Sequence, residues 1–352
     1  MLARIALSAD AIFDLSQGPA PHQRKNHREF TDLLMRHGVL VFGSEDEKNL
    51  FASSIRLGDG VPVFSRQVWG VILADLAHKK RLRVISPPGA AQVSALTSLR
   101  DLYDEWKYKA EIALVQESLS KVMKLDQQES GVLEGHALEI ATPFTISEGK
   151  VIRSLEALSR DGKLKHGESR ETFWNTVLAP LAECTRTVVI TDRFIFERLW
   201  DDADRSITRA VPEHLCWLLE RLDSTLLPSA TVKIVGQSRR KDGPAHKGRW
   251  TTQQTSHLIQ ASWARSSVRR IKRVEIVQAE PYGERPHDRH IRFGDVGLVD
   301  INAGVDMLST PKVIKKQGMK WSYGYMPNAL QESKEATNML EAQPSYKTTI
   351  VS

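Results

Sequence analysis

Apolar residues follow one another along this chain in two rhythms. Arg4-Ile5-Ala6-Leu7-Ser8-Ala9, Val39-Leu40-Val41-Phe42 and Leu82-Arg83-Val84-Ile85 are short, nearly continuous apolar runs. Such runs read as strands buried on both faces, the kind that build parallel sheets. Between them, apolar positions recur three and four apart over Asn26–Arg36 (Phe30, Leu33, Leu34), Glu45–Ile55 and Val68–Ala77. That spacing puts a stripe on one side of a helix. Ser44 stands three residues before Glu47, the spacing of a capping box, so the second helix starts there. Pro87-Pro88-Gly89 closes the third strand. Strands that alternate with helices predict an α/β domain with a parallel sheet.

Ser94 to about Leu125 has helical spacing (Leu96, Leu99, Leu102, Trp106, Ile112, Val115) and predicts a charged helical stretch. Residues 127–150 are mixed, with Gly131, Gly135, Pro143 and Gly149, and the domain boundary is placed near 145. Ser159 to Gly167 reads as a polar loop. Glu171–Ala182 reads as a helix that Pro180 ends or kinks. Thr187-Val188-Val189-Ile190-Thr191, Ala230–Gly236 and Arg273–Gln278 read as strands, with helices over Pro212–Leu222 and Thr252–Val268 between them. His287–Phe293 and Leu298–Ile301 follow as a strand pair. The expected organisation is an α/β domain at 1–145, a second α/β domain at 146–330 and a polar, loosely ordered tail at 331–352.

Composition changes this picture little. The 352 residues suit two domains, and 41% hydrophobic residues suffice for their cores. Cys184 and Cys216 have no metal-ligand spacing and read as reduced core residues. No apolar run approaches the roughly 20 residues that span a bilayer, and no signal peptide is evident. The expectation is a cytoplasmic protein. The net charge of +6 matters more for where it sits. Arg239-Arg240-Lys241, Lys247, Arg249, Arg265, Arg269-Arg270 and Lys272-Arg273 crowd one window, with Trp250 and Trp263 among them. Cations hold phosphates and aromatic rings stack bases, so the window suggests nucleic acid, with an anionic lipid surface as the alternative. A merely solvated loop and helix face would look the same.

Candidate chemistry lies in two places. In His287-Asp288-Arg289-His290-Ile291-Arg292-Phe293, strand alternation would put His287 with Arg289 on one face and His290 with Arg292 on the other. An imidazole beside a guanidinium suits a phosphate. An edge-strand ion pair between Asp288 and Arg289 is the plain alternative. In the N-terminal half, Asp10 ends the first strand, and Asp46 and Glu47 open the helix after the second. Carboxylates at the ends of parallel strands can hold Mg or Mn for nuclease chemistry, a weakly PIN-like layout. The plain alternative is that Glu45, Asp46 and Glu47 cap a helix.

The second half also resembles a known family. Strand Thr187–Thr191 with Asp192-Arg193 at its end, then His287–Phe293, then Asn302-Ala303-Gly304-Val305-Asp306, then Pro311 and Ser322-Tyr323-Gly324-Tyr325 are similar to the phospholipase D-like domain at the C-terminus of MIT-domain-containing proteins. The likeness covers about residues 150–328. It departs at Asn302, where the family carries the first glycine of Gly-x-Gly-Leu-Asp, and no three-helix MIT pattern precedes it. The resemblance implies a phospholipase D-like α/β fold that often dimerises and binds acidic phospholipid without hydrolysing it. Arg289 stands where the catalytic relatives have lysine after their histidine. A homodimer pairing two His287 residues as nucleophile and acid would make a phosphodiesterase, and that reading stays open. The leading expectation is a two-domain binder of phosphate-bearing ligands, nucleic acid foremost. A non-catalytic adaptor on an anionic membrane or a protein partner is the runner-up.

Overall fold

The computed structural model describes residues 1–122, 138–196, 213–237, 251–263, 269–279, 289–314 and 316–351. The chain forms two compact units, Met1–Ala157 and Leu158–Ser352, so the division falls later than the expected 145. Both are α/β. No helix among the described residues is long and apolar enough to cross a membrane.

The first unit is built on a five-stranded sheet with order β3-β2-β1-β4-β5, every pair parallel. Its strands are β1 (Ala3–Leu7), β2 (Gly38–Phe42), β3 (Leu82–Val84), β4 (Ile112–Leu114) and β5 (Glu139–Ala141). All five residues of β2 are buried, as expected for a parallel strand covered on both faces. The helices are α1 (Ala9–Phe13), α2 (Ala20–His37), α3 (Glu45–Leu57), α4 (Val63–His78) and α5 (Leu99–Trp106). Two expectations are corrected. β1 stops at Leu7, so Asp10 sits in the first turn of α1 and not at a strand end. The expected long helix from 94 contains β4, because Ile112-Ala113-Leu114 is a run too short to be told from a helix face by spacing.

Helix α6 (Lys150–Asp161) leads into the second unit. There an eight-stranded mixed sheet has the order β13-β9-β8-β7-β10-β11-β12-β6. Its strands are β6 (Gly162–Leu164), β7 (Thr187–Thr191), β8 (Ala230–Gln237), β9 (Ile271–Ala279), β10 (His290–Phe293), β11 (Gly297–Ile301), β12 (Met319–Gly324) and β13 (Tyr346–Val351). β7, β8 and β9 run parallel, and the other pairs are antiparallel. The helices are α7 (in pieces Arg170–Phe173, Trp174–Leu178 and Ala179–Ala182), α8 (Glu213–Thr225), α9 (Thr252–Trp263) and α10 (Pro327–Glu341). Pro180 does not end α7. Ala179 N–H instead bonds back to the Trp174 carbonyl, and one π turn absorbs the fault. The tail expected to be loose is α10 and β13, and β13 pairs with β9 along six residues from Tyr346 to Val351.

Candidate functional site

Topology gathers the candidate residues at one edge of the second sheet. β7, β8 and β9 end there, and antiparallel β10 begins there. Ligands of α/β sheets are commonly taken at such a carboxyl edge. Asp192 follows β7 directly and is buried. Its Oδ1 accepts the Phe194 N–H at 2.9 Å, and its Oδ2 accepts the Val305 N–H at 2.7 Å. Burial pushes this carboxyl above its ordinary range, against the pull of those two bonds and of the Arg289 charge. Gly304 has φ +88°, and a Cβ there would stand 2.8 Å from Asp192 Oδ2. Only glycine fits this close approach in the left-handed region. The glycine that the sequence keeps next to Ala303 is thus the one the edge needs.

Around that anchor lie two guanidiniums and an amide. Arg193 Cζ and Arg289 Cζ lie 5.1 and 5.3 Å from the centroid of the Phe194 ring. Ring contacts of this kind hold a cation in place without cancelling its charge. Arg193 Nε donates to Gln237 Oε1 at 3.3 Å. Gln237 is buried, and its Nε2 donor has no hydrogen-bond partner. Among the described residues neither guanidinium forms an ion pair. The Arg289 carbonyl accepts the Ile301 N–H at 2.7 Å, which fixes the backbone at the start of β10. Beside Arg289 an open depression of about 560 Å³ is lined by Asp300, Asn302, Lys320, Trp321 and Ser322.

The other face of β10 is enclosed. His290 and Arg292 share it, as alternation predicted, but both are buried. His290 Nε2 lies 3.0 Å from Ser333 Oγ on α10. Burial draws the Arg292 guanidinium below its ordinary pKa, against the charges of Asp295 and Glu341. Arg292, expected to hold ligand, therefore packs inside the unit. The expected site residues His287, Arg239, Arg240, Lys241 and Trp250 lie outside the described residues.

In the first unit, Glu47 acts as a cap. Its N–H donates to Ser44 Oγ at 3.1 Å, and its Oε2 accepts the Gly43 N–H at 2.6 Å. Burial raises its pKa, and bonds from the Gly43 and Ser44 backbone oppose the rise. Asp46 is exposed on the same first turn, and Asp10 lies on α1. Among the described residues no group of three or more His, Cys, Asp or Glu could hold a metal ion, so Asp10, Asp46 and Glu47 are not gathered into one such cluster. The reading of isolated acids passed over Asp14. It is buried, and its carboxylate accepts the Glu117 N–H at 2.7 Å and the Gln17 amide at 3.0 Å, tying the segment after β1 to the segment after β4.

Arg193, Phe194 and Gln237 were also absent from the expected site. Their one signal was an acid and an arginine directly after the apolar run Thr187–Thr191. Compared with known proteins, the chain matches no family model and no curated protein.

Proposed function

We propose that the second unit captures a phosphate-bearing ligand, nucleic acid foremost, at the carboxyl edge where Arg193 and Arg289 flank Phe194. The observation that carries this reading is a surplus of donors. Two guanidiniums without ion pairs and the orphaned Gln237 amide converge on one edge, while the nearby Asp192 carboxylate is held by backbone N–H groups. Guanidiniums match phosphate oxygens as forks, and a donor without an acceptor is costly unless a ligand supplies one. Asp192 and Gly304 fix the edge, and Arg193 and Arg289 make the contact. The expected basic window from Arg239 supports an extended anion as ligand through its charge.

Arg289→Ala should weaken phosphate-ligand binding by roughly 1.5–3 kcal/mol, the loss of one charge-assisted contact. The fold should stay intact, because the side chain is half-buried and its structural bond is made by its carbonyl. Calorimetric titration with inorganic phosphate and with a short oligonucleotide measures this. Unchanged affinity in the folded variant removes Arg289 from the site.

A further inference from the structure

Two buried polar atoms lie without partners at the carboxyl edge of the second sheet, on one face of it. Thr191 ends β7 and pairs in parallel with Val235, so strand alternation puts its side chain on the face that carries Gln237, the last residue of β8. Thr191 is 3% and Gln237 4% exposed, and neither the Thr191 hydroxyl nor the Gln237 Nε2 donor has a hydrogen-bond partner. Folded proteins leave few buried polar atoms in this state. On the same face His290, which pairs with Thr191, is closed over by Ser333 of α10. At the edge itself Arg193, Phe194 and Arg289 are only half-buried, and Arg193 Nε reaches Gln237. Buried donors thus form a floor, and the two guanidiniums beside the Phe194 ring form a rim.

We infer that this edge takes the terminal phosphate of a nucleic-acid strand, a phosphomonoester, rather than a phosphodiester within the strand. This rests on the phosphate-binding edge proposed above and specifies which phosphate it holds. Depth is the first reason. A phosphate inside a strand carries a sugar on two of its oxygens, and both sugars would have to follow it to the floor. A terminal phosphate carries one, and points three free acceptor oxygens ahead of it. Charge is the second reason. A phosphomonoester bears about −1.5 to −2 at pH 7, which two guanidiniums without ion pairs match, whereas each phosphate within a strand bears a single charge. The three free oxygens also offer acceptors to both guanidinium forks, the Gln237 amide and the Thr191 hydroxyl together.

The test uses the full chain and labelled oligothymidylates of roughly 15 nucleotides that end in a 5′-phosphate, a 3′-phosphate or hydroxyls alone. One of the phosphorylated oligomers should bind about tenfold or more tightly than the hydroxyl-ended one, the scale of a charge-assisted contact. Gln237→Leu keeps the side chain close in size and removes the amide. It should cut that preference to about threefold or less, leave the hydroxyl-ended oligomer unchanged, and melt at or above the wild-type temperature, because a buried donor without a partner stabilises nothing. Thr191→Val should act in the same way. If all three oligomers bind equally and Arg289→Ala weakens each, the edge holds phosphates within the strand and the terminal assignment is wrong. If Arg289→Ala leaves every oligomer unchanged, the edge itself fails. A preference that survives both Gln237→Leu and Thr191→Val in folded variants takes the two donors out of the site and overturns the assignment. A wild-type chain that binds phosphatidic acid vesicles and no oligomer puts the phosphomonoester on a lipid and overturns the nucleic-acid end.

Discussion

Arg81 is fully buried and spends its charge on a helix end. Its Nε, Nη1 and Nη2 donate to the carbonyls of Gly38, Met35 and Leu34 at 2.7, 2.8 and 2.5 Å. These are the last carbonyls of α2 and its exit, which no later turn of the helix can satisfy. Arg81→Ala would leave them buried and unpaired, at about 1–3 kcal/mol for each one that water cannot reach. The expected outcome is a loss of about 3 kcal/mol or more, read as a lower urea midpoint for the first unit at unchanged slope. A loss below about 1 kcal/mol would mean that water replaces the guanidinium. Nothing in Lys79-Lys80-Arg81-Leu82 announces this cap, because the partners lie more than 40 positions away in sequence. The cap at Glu47 was legible from Ser44, since both partners lie within one turn. Arg289 was legible as a candidate from its neighbours in sequence, and its place beside Phe194 at the carboxyl edge follows from the start of β10. Gln237 was not, because only the pairing of β7 with β8 brings it to Arg193.

Elements were legible where their pattern was long or their register local. β2 and β7 are five-residue apolar strands flanked by polar residues, and both were read correctly. β4, β5 and β6 have three residues each and were lost in helical or loop readings. Such strands exist because neighbours hold them: β4 is paired on both sides, by β1 and β5. β13 was missed for a different reason. As an edge strand it buries only its ends, Tyr346 and Val351, while Lys347, Thr348 and Ile350 between them are exposed, and its polarity resembled a tail. Tyr346 closes a buried cluster with Val189, Val235, Val277 and Ala279, against which Leu340 of α10 packs. Truncation after Glu341 should therefore destabilise the second unit, by about 1.5–3 kcal/mol for Tyr346 alone, since that is the value of one fully buried large side chain. Thermal melting measures the loss. A truncated chain that melts with the full one would show β13 to be an ornament of the sheet.

At the scale of the whole molecule, acid should separate the two units. His27 and His37 are buried in the first unit, and burial lowers the pKa of each to about 4. The Trp69 indole N–H donates to His27 Nδ1 at 3.0 Å, so the His27 proton sits on Nε2, which faces Ser16 Oγ at 3.1 Å. A second proton would set donor against donor. His37 Nδ1 lies 2.9 Å from the Met1 carbonyl, and the nearby Arg36 and Arg81 charges also disfavour its protonation. The folded pKa lies below the unfolded value near 6.5, so the unfolded chain binds more protons between pH 6.5 and 4. Stability from these two groups is complete above that window and falls through it, by up to about 2.7 kcal/mol per pH unit in the middle. The second unit responds otherwise. Burial raises the folded pKa of Asp192, so protonating it favours the fold as pH drops. Its bonded carboxylate Glu171 has a lowered pKa, and that contribution is lost only below the ordinary carboxylate value of 4.5. Hydrogen exchange followed peptide by peptide from pH 7 to pH 4 should show β1, β2 and β4 losing protection first, while β7, β8, β9, β10 and β11 keep theirs. His27→Gln, which cannot take up a proton, should remove about half of the pH dependence of the first unit. Simultaneous loss in both units, or a first unit with full protection at pH 4, would show that His27 and His37 reach water and that their burial does not govern the acid limb.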